Sequence, residues 1–171
     1  MRIAIIIAQN DFRDEELFDT KAVLEQNDVV VDVAALTMET ARDKLGGTLR
    51  PDIVIDKISA DDYNGVVFIG GPGAFAFIND GKIHQLAKQF AEKGKIVCAI
   101  CIAPAILAAA GLLNGVKATV HDSGRSYLQK GGAEFVEEDV VADKNFITAN
   151  GPSAASVFGE KIVQTLKNKQ N

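Results

Sequence analysis

A chain of 171 residues is the length of one domain at roughly 100–200 residues each, and a fold of this size buries about 70% of its unfolded surface around one core. With 47% hydrophobic and 24% charged residues it lies outside the disordered classes, and its net charge of −5 would repel a phosphate backbone, so nucleic acid is not expected as a partner. No apolar stretch approaches the about 18 residues of a membrane span, and the amino terminus soon reaches Asp11, Arg13, Asp14, Glu15 and Glu16, so neither a membrane anchor nor an export signal is expected. Two cysteines then point to a reducing, cytoplasmic setting.

In chain order, residues 3–8 form a continuous apolar run of strand length, and a helix follows from Asp14 to about Gln26. Residues 29–36 read as a second strand, residues 48–56 as less regular strands or a hairpin, and residues 65–69 as a third long strand. Asp80 then caps a helix that turns Ile83, Leu86, Ala87 and Phe90 to one face. Residues 96–100 make another strand, and a helix is predicted over 103–113, ending at the Asn114-Gly115 turn. Residues 139–149 read as a hairpin turning at Asp143-Lys144-Asn145, and a last helix from Ser153 carries Phe158, Ile162 and Leu166 inward. Residues 166–171 are expected to fray. Continuous strands alternating with helices predict a mostly parallel sheet covered on both faces, in a single domain over 1–171.

In such a sheet ligands bind beyond the carboxyl ends of the strands, so residues 9–16, 70–74, 101–104 and 121–124 come first. Cys101 lies between a strand and a helix whose first turn suits Pro104. Free N–H groups and the helix amino end there stabilise a thiolate, the sulfur version of a nucleophile elbow. A buried small hydrophobe is the other reading, which this position disfavours, and the thiol is expected to titrate below the free value of about 8.5. Cys98 and Cys101 spell C-x-x-C, but three residues of strand set their Cα atoms roughly 10 Å apart, beyond the ~7 Å reach of a disulfide, and send the side chains to opposite faces. Cys98 reads as inert core.

Gly70-Gly71-Pro72-Gly73 also follows a strand, and three readings stay open: a tight turn, a backbone N–H offered as an oxyanion donor, or a dinucleotide loop. Gly71, Gly73 and Ala76 fit G-x-G-x-x-A, but no acidic residue stands where a ribose would need it, so no cofactor is expected. Glu16 sits in a first helical turn among charged neighbours, where a solvated terminus is the plainer reading. His121 divides between local hydrogen bonding and catalysis, and His84 reads as a surface or structural position. Two cysteines aimed apart and two distant histidines predict no metal site.

The turn Ala99-Ile100-Cys101-Ile102-Ala103-Pro104, the glycine loop thirty residues earlier and Glu16 after the first strand together resemble the DJ-1/PfpI family of the class I glutamine-amidotransferase-like superfamily. Phe146-Ile147-Thr148-Ala149-Asn150-Gly151-Pro152-Ser153 looks like its closing strand and last helix, and the resemblance covers about residues 2–168. It implies a flavodoxin-like three-layer α/β sandwich, usually a homodimer, with Cys101 as nucleophile and Glu16 as a buried acid donating a hydrogen bond to it. It further implies Gly71 and the N–H of Ile102 as oxyanion donors, and His121 as the histidine near the cysteine in the DJ-1 branch. The protease-like branch carries His directly after the cysteine and Gly before the proline. Ile102 and Ala103 stand there instead, which places the chain nearer the DJ-1 branch and removes an adjacent general base.

The expected activity is a cytoplasmic, cofactor-independent glyoxalase or deglycase chemistry in which the Cys101 thiolate attacks a small reactive carbonyl, such as a 2-oxoaldehyde. The alternative is an oxidative-stress sensor or chaperone using Cys101 oxidation. Below both stand a small-molecule hydrolase or hydratase and a PfpI-type intracellular peptidase.

Overall fold

The computed structural model describes residues 1–169. Its central sheet is built from β1 (Arg2–Ile6), β2 (Val30–Ala35), β3 (Ile53–Val54), β4 (Gly65–Phe68), β5 (Ile96–Ile100), β6 (Val140–Asp143) and β7 (Phe146–Ala149). The helices are α1 (Asp14–Gln26), α2 (Gly81–Glu92), α3 (Pro104–Ala109), α4 (Arg125–Lys130) and α5 (Ala155–Asn168). The sheet order is β6-β7-β5-β4-β1-β2-β3, with every pair parallel except the β6–β7 hairpin. Leaving out the two edge strands, this is the 2-1-3-4-5 order of a flavodoxin-like doubly wound sheet, so the expected architecture is the observed one.

Side-chain alternation divides the core between the two faces. Ile3, Ile5, Val33, Val67, Ile96, Cys98 and Ile100 pack with Leu17, Leu24, Phe158 and Ile162 of α1 and α5. Ala4, Ile6, Val66, Phe68, Val97 and Ala99 meet Ile83, Leu86, Phe90, Ile106 and Leu107 of α2 and α3 on the other side. Both faces are dry, which explains why the strands read as unbroken apolar runs. Asp80 caps α2 as expected, accepting from Lys82 N–H at 2.8 Å and Ile83 N–H at 3.2 Å.

Four local expectations change. The helix predicted over 103–113 ends at Ala109, because Gly111 takes a left-handed φ of +77° and Leu112 N–H turns back to the Leu107 carbonyl at 3.0 Å. Of the two readings of residues 48–56, less regular strands hold and the hairpin does not: Thr48–Leu49 pairs with Ala41–Asp43 in a small outer ribbon, and β3 joins the main sheet edge beside β2. The six-residue α4 was not anticipated, being too short to show a helical period. Helix α5 continues through Asn168, its Leu166 packed in the core, so the expected fraying does not begin at 166; residues 170–171 lie outside the described residues.

Candidate active site

The order of the sheet reverses between β1 and β4, and the chain segments leaving β1, β4 and β5 converge beyond their carboxyl ends. Cys101 is the first residue after β5 and holds a left-handed φ of +63°, which costs an L-residue roughly 1–2 kcal/mol. Two hydrogen bonds hold it there: Cys101 N–H donates to the Ala149 carbonyl, and His121 N–H donates to the Cys101 carbonyl, both at 2.9 Å. The twist also ends the strand's alternation. Cys101 packs against the α1/α5 face of the sheet, the same face as Cys98, and not the opposite one expected from the spacing. That re-aiming brings its sulfur to Glu16. Cys98 itself is fully buried in β5, where desolvation pushes its thiol up.

Glu16 is no solvated terminus. Glu16, Leu17, Thr20 and Leu24 are the buried residues of α1, a helical stripe, and Glu16 has no exposed surface at all. One carboxyl oxygen, Oε2, accepts from Gly70 N–H at 2.9 Å, and the side chain hydrogen-bonds Cys101. Oε1 has no hydrogen-bond partner among the described residues.

The glycine loop is shaped by close approach. A Cβ on Gly70 would lie 2.7 Å from Cys101 Cβ and 2.8 Å from Glu16 Oε2, and Gly71, at φ +97°, would press one to 2.5 Å from the Asp11 carbonyl. Glycine therefore lets the loop come close enough to direct the Gly71 N–H at the sulfur, and the Ile102 N–H, on the other side of the elbow, is the second donor. Gly71→Ala is expected to cost roughly 2–5 kcal/mol of stability from backbone strain and collision together, read by urea unfolding. An unchanged midpoint would show that the loop has slack.

Burial pushes the Glu16 carboxyl up to about 7, against the opposing pull of its hydrogen bonds to Cys101 and Gly70 and of Arg13. Burial likewise pushes the Cys101 thiol up to about 12, the Glu16 charge adding to it while the Gly71 and Ile102 N–H groups oppose. Groups in direct hydrogen-bond contact titrate as a pair. The pair therefore loses its first proton near 7 and keeps the second far above neutrality, so one proton is shared between oxygen and sulfur at neutral pH. The Gly71 and Ile102 N–H groups draw the shared proton toward Glu16, while burial of the thiol and its hydrogen bond to Glu16 hold it on the sulfur. The Cys101 thiol, expected to titrate below the free value of about 8.5, is instead pushed up, because burial and the neighbouring Glu16 outweigh the two N–H groups.

His121 stands on the wall of the same cavity, exposed, with Nδ1 accepting from Ser123 N–H at 3.3 Å and 2.9 Å from Ser123 Oγ. Its ring proton is accordingly assigned to Nε2, and its hydrogen bonds tie it to Ser123 rather than to the sulfur. His84 is structural, its Nε2 2.7 Å from the Ile78 carbonyl oxygen. The cavity holds about 250 Å³ and brings Glu16, Gly71, Cys101, Ile102 and His121 together. Arg13 and Ser123 in its wall fall inside the segments the sequence singled out, without being named for a role, whereas Lys44, Phe75 and Pro152 lie outside them. Arg13 could have been found as the residue before a helix whose first turn faces the site, whereas nothing local marked Lys44. A larger neighbouring cavity, about 430 Å³, shares His121 and Pro152 and contains no cysteine.

The model of the DJ-1/PfpI family matches residues 1–165. An uncharacterised protein of Methanocaldococcus jannaschii is 38% identical over 169 residues, covering 97% of this chain and 82% of its own. A protein named a deglycase in Pyrococcus horikoshii is 27% identical over 163 residues, 95% of this chain and 98% of its own. Further relatives at 26–28% identity carry the names deglycase or glutathione-independent glyoxalase. A ThiJ/PfpI domain protein from Brachyspira murdochii superposes with a TM-score of 0.95 at 31% identity, over 98% of this chain and 96% of that one. With the elbow, the glycine loop and the whole-length match agreeing, the chain belongs to the DJ-1/PfpI family.

Proposed function

We propose that this protein converts small reactive carbonyl compounds, 2-oxoaldehydes in the first place, to hydroxy acids through the Cys101 thiolate, without a cofactor. The observation that carries this reading is the buried Glu16–Cys101 pair, with two backbone N–H groups directed at its sulfur. A cavity of about 250 Å³ suits a small molecule better than a peptide, and names of deglycases and a glyoxalase among the relatives support the same class. A cytoplasmic homodimer belongs to the same proposal.

In the proposed reaction the Sγ–C bond forms at the aldehyde carbon and the carbonyl electron pair moves to its oxygen, held by the N–H groups of Gly71 and Ile102. Glu16 gives its proton to that oxygen, and the resulting carboxylate, or His121, then takes the proton from that carbon and passes it to the neighbouring ketone oxygen, giving an enediol. Reprotonation at the second carbon leaves a thioester. Water adds to its carbonyl, the C–S bond breaks, and the thiolate returns with release of the hydroxy acid. One carbon is oxidised as its neighbour is reduced, so only water is consumed. Purified protein in deuterated water with a chelator and no glutathione is expected to turn methylglyoxal into lactate bearing deuterium at C2, read by proton NMR. Lactate absent from that mixture overturns the reading.

A further inference from the structure

Two cations line the Cys101 cavity that no step of the proposed reaction uses, Arg13 and Lys44. Lys44 sits in a loop whose backbone is fixed. Its N–H donates to the Phe12 carbonyl at 2.9 Å, and the buried Asp43 carboxylate accepts from Leu45 N–H at 2.8 Å and Gly47 N–H at 2.9 Å. The ammonium at the end of that fixed backbone pairs with no carboxylate among the described residues. Arg13 spends its Nε on Glu15, leaving its terminal NH₂ groups without a protein acceptor among the described residues.

Among the described residues Glu16 is the only carboxylate in the wall of this cavity. Across His121 and Pro152 the neighbouring cavity has net charge of the opposite sign, with Asp122, Glu137, Glu138 and Asp139 in its wall against Arg125, which pairs with Asp122 and Glu137. In a protein of net charge −5 a positive mouth over the nucleophile is a local reversal. Potentials of opposite sign on either side of a reacting centre orient a charged ligand as well as attract it.

We propose that the Cys101 cavity selects carbonyl compounds that carry an anionic group, carboxylate or phosphate, received by Lys44 and the terminal NH₂ groups of Arg13. The reactive carbon then lies at the sulfur and the anion at the Lys44 end, turned away from the acidic cavity. The inference rests on the proposed attack of Cys101 on a carbonyl, and it names the substrate class of that site. The anionic group is unchanged by the reaction.

Iodoacetate and iodoacetamide, alike in size and different in charge, test the anion site without catalysis. At low ionic strength the iodoacetate-to-iodoacetamide rate ratio for Cys101 is expected to exceed that of 2-mercaptoethanol about tenfold, since a matched charge contact is worth about that factor. Lys44→Gln should bring the ratio to within about twofold of the free thiol, and Lys44→Arg should preserve it. A wild-type ratio at or below that of the free thiol overturns the inference, as does a raised ratio that Lys44→Gln leaves intact. A Cys101 inert to both reagents removes the nucleophile and the inference together. Turnover then separates the anions: 4,5-dioxopentanoate carries a carboxylate and hydroxypyruvaldehyde phosphate a phosphate, and at least one is expected to exceed methylglyoxal about tenfold in kcat/KM. If none of the three reacts while the iodoacetate preference holds, the catalytic reading falls and the anion site stands. If methylglyoxal reacts as well as both anions and no preference is seen, catalysis stands and the inference falls.

Discussion

Cys101→Ala is expected to reduce lactate formation from methylglyoxal by about 10³-fold or more, because the proposed route has no covalent intermediate without the thiolate. Cys98→Ala is the internal control. That thiol is sealed in β5, so removing it leaves a small void costing roughly 1 kcal/mol, seen as a lower unfolding midpoint with kcat/KM unchanged. Equal rates for wild type and Cys101→Ala would end the enzymatic reading and leave the thiol to oxidative sensing. A rate lost in Cys98→Ala with the fold intact would end the assignment of the elbow.

Glu16→Gln is expected to act in two ways, both traced to one buried carboxyl. The amide can keep the acceptor for Gly70 N–H and offer an N–H to the sulfur, but it cannot take up or release the shared proton. Only the thiol then titrates, and burial raises it. The pH step in Cys101 alkylation should accordingly move from near 7 to above the ordinary thiol value of about 8.5, lowering the rate at pH 7 by roughly tenfold. A step that stays in place would show that Glu16 does not share its proton with Cys101.

Stability should move the other way. The folded carboxyl titrates near 7 and the unfolded one near 4.5, so the folded state binds more protons between these values. The contribution of the neutral acid is complete below pH 4.5 and is lost as pH rises through 7. Above that window a charge is held in a dry site at a cost of about 3 kcal/mol, which glutamine avoids. Urea unfolding of the two proteins at pH 4 and pH 9 should show the variant gaining about that much relative to wild type between the two conditions. No difference between the two pH values would mean that Glu16 is solvated in the folded protein.

The sheet was legible because its strands are covered on both faces: unbroken apolar runs such as residues 96–100 have few structures other than a buried parallel strand available to them. Asp80 announced α2 and the Asp143-Lys144-Asn145 turn announced the β6–β7 hairpin, since caps and turns are local chemistry. Cys101 was legible by place alone, as a thiol between a strand and a proline-led helix. The tertiary structure decided what surrounds it. Charge density along the chain made Glu16 look like a solvated helix end, and only the packing of α1 on the sheet shows that it shares a dry stripe with Leu17, Thr20 and Leu24. The strand period carried Cys101 to the wrong face because a single left-handed residue, held by bonds to Ala149 and His121 from distant segments, breaks it. Lys44 had no local sign of a role, for its place at the cavity depends on a loop docking onto the Phe12 carbonyl. Burial and convergence are properties of chain segments far apart in sequence, and it is these that set where the proton of the Glu16–Cys101 pair resides.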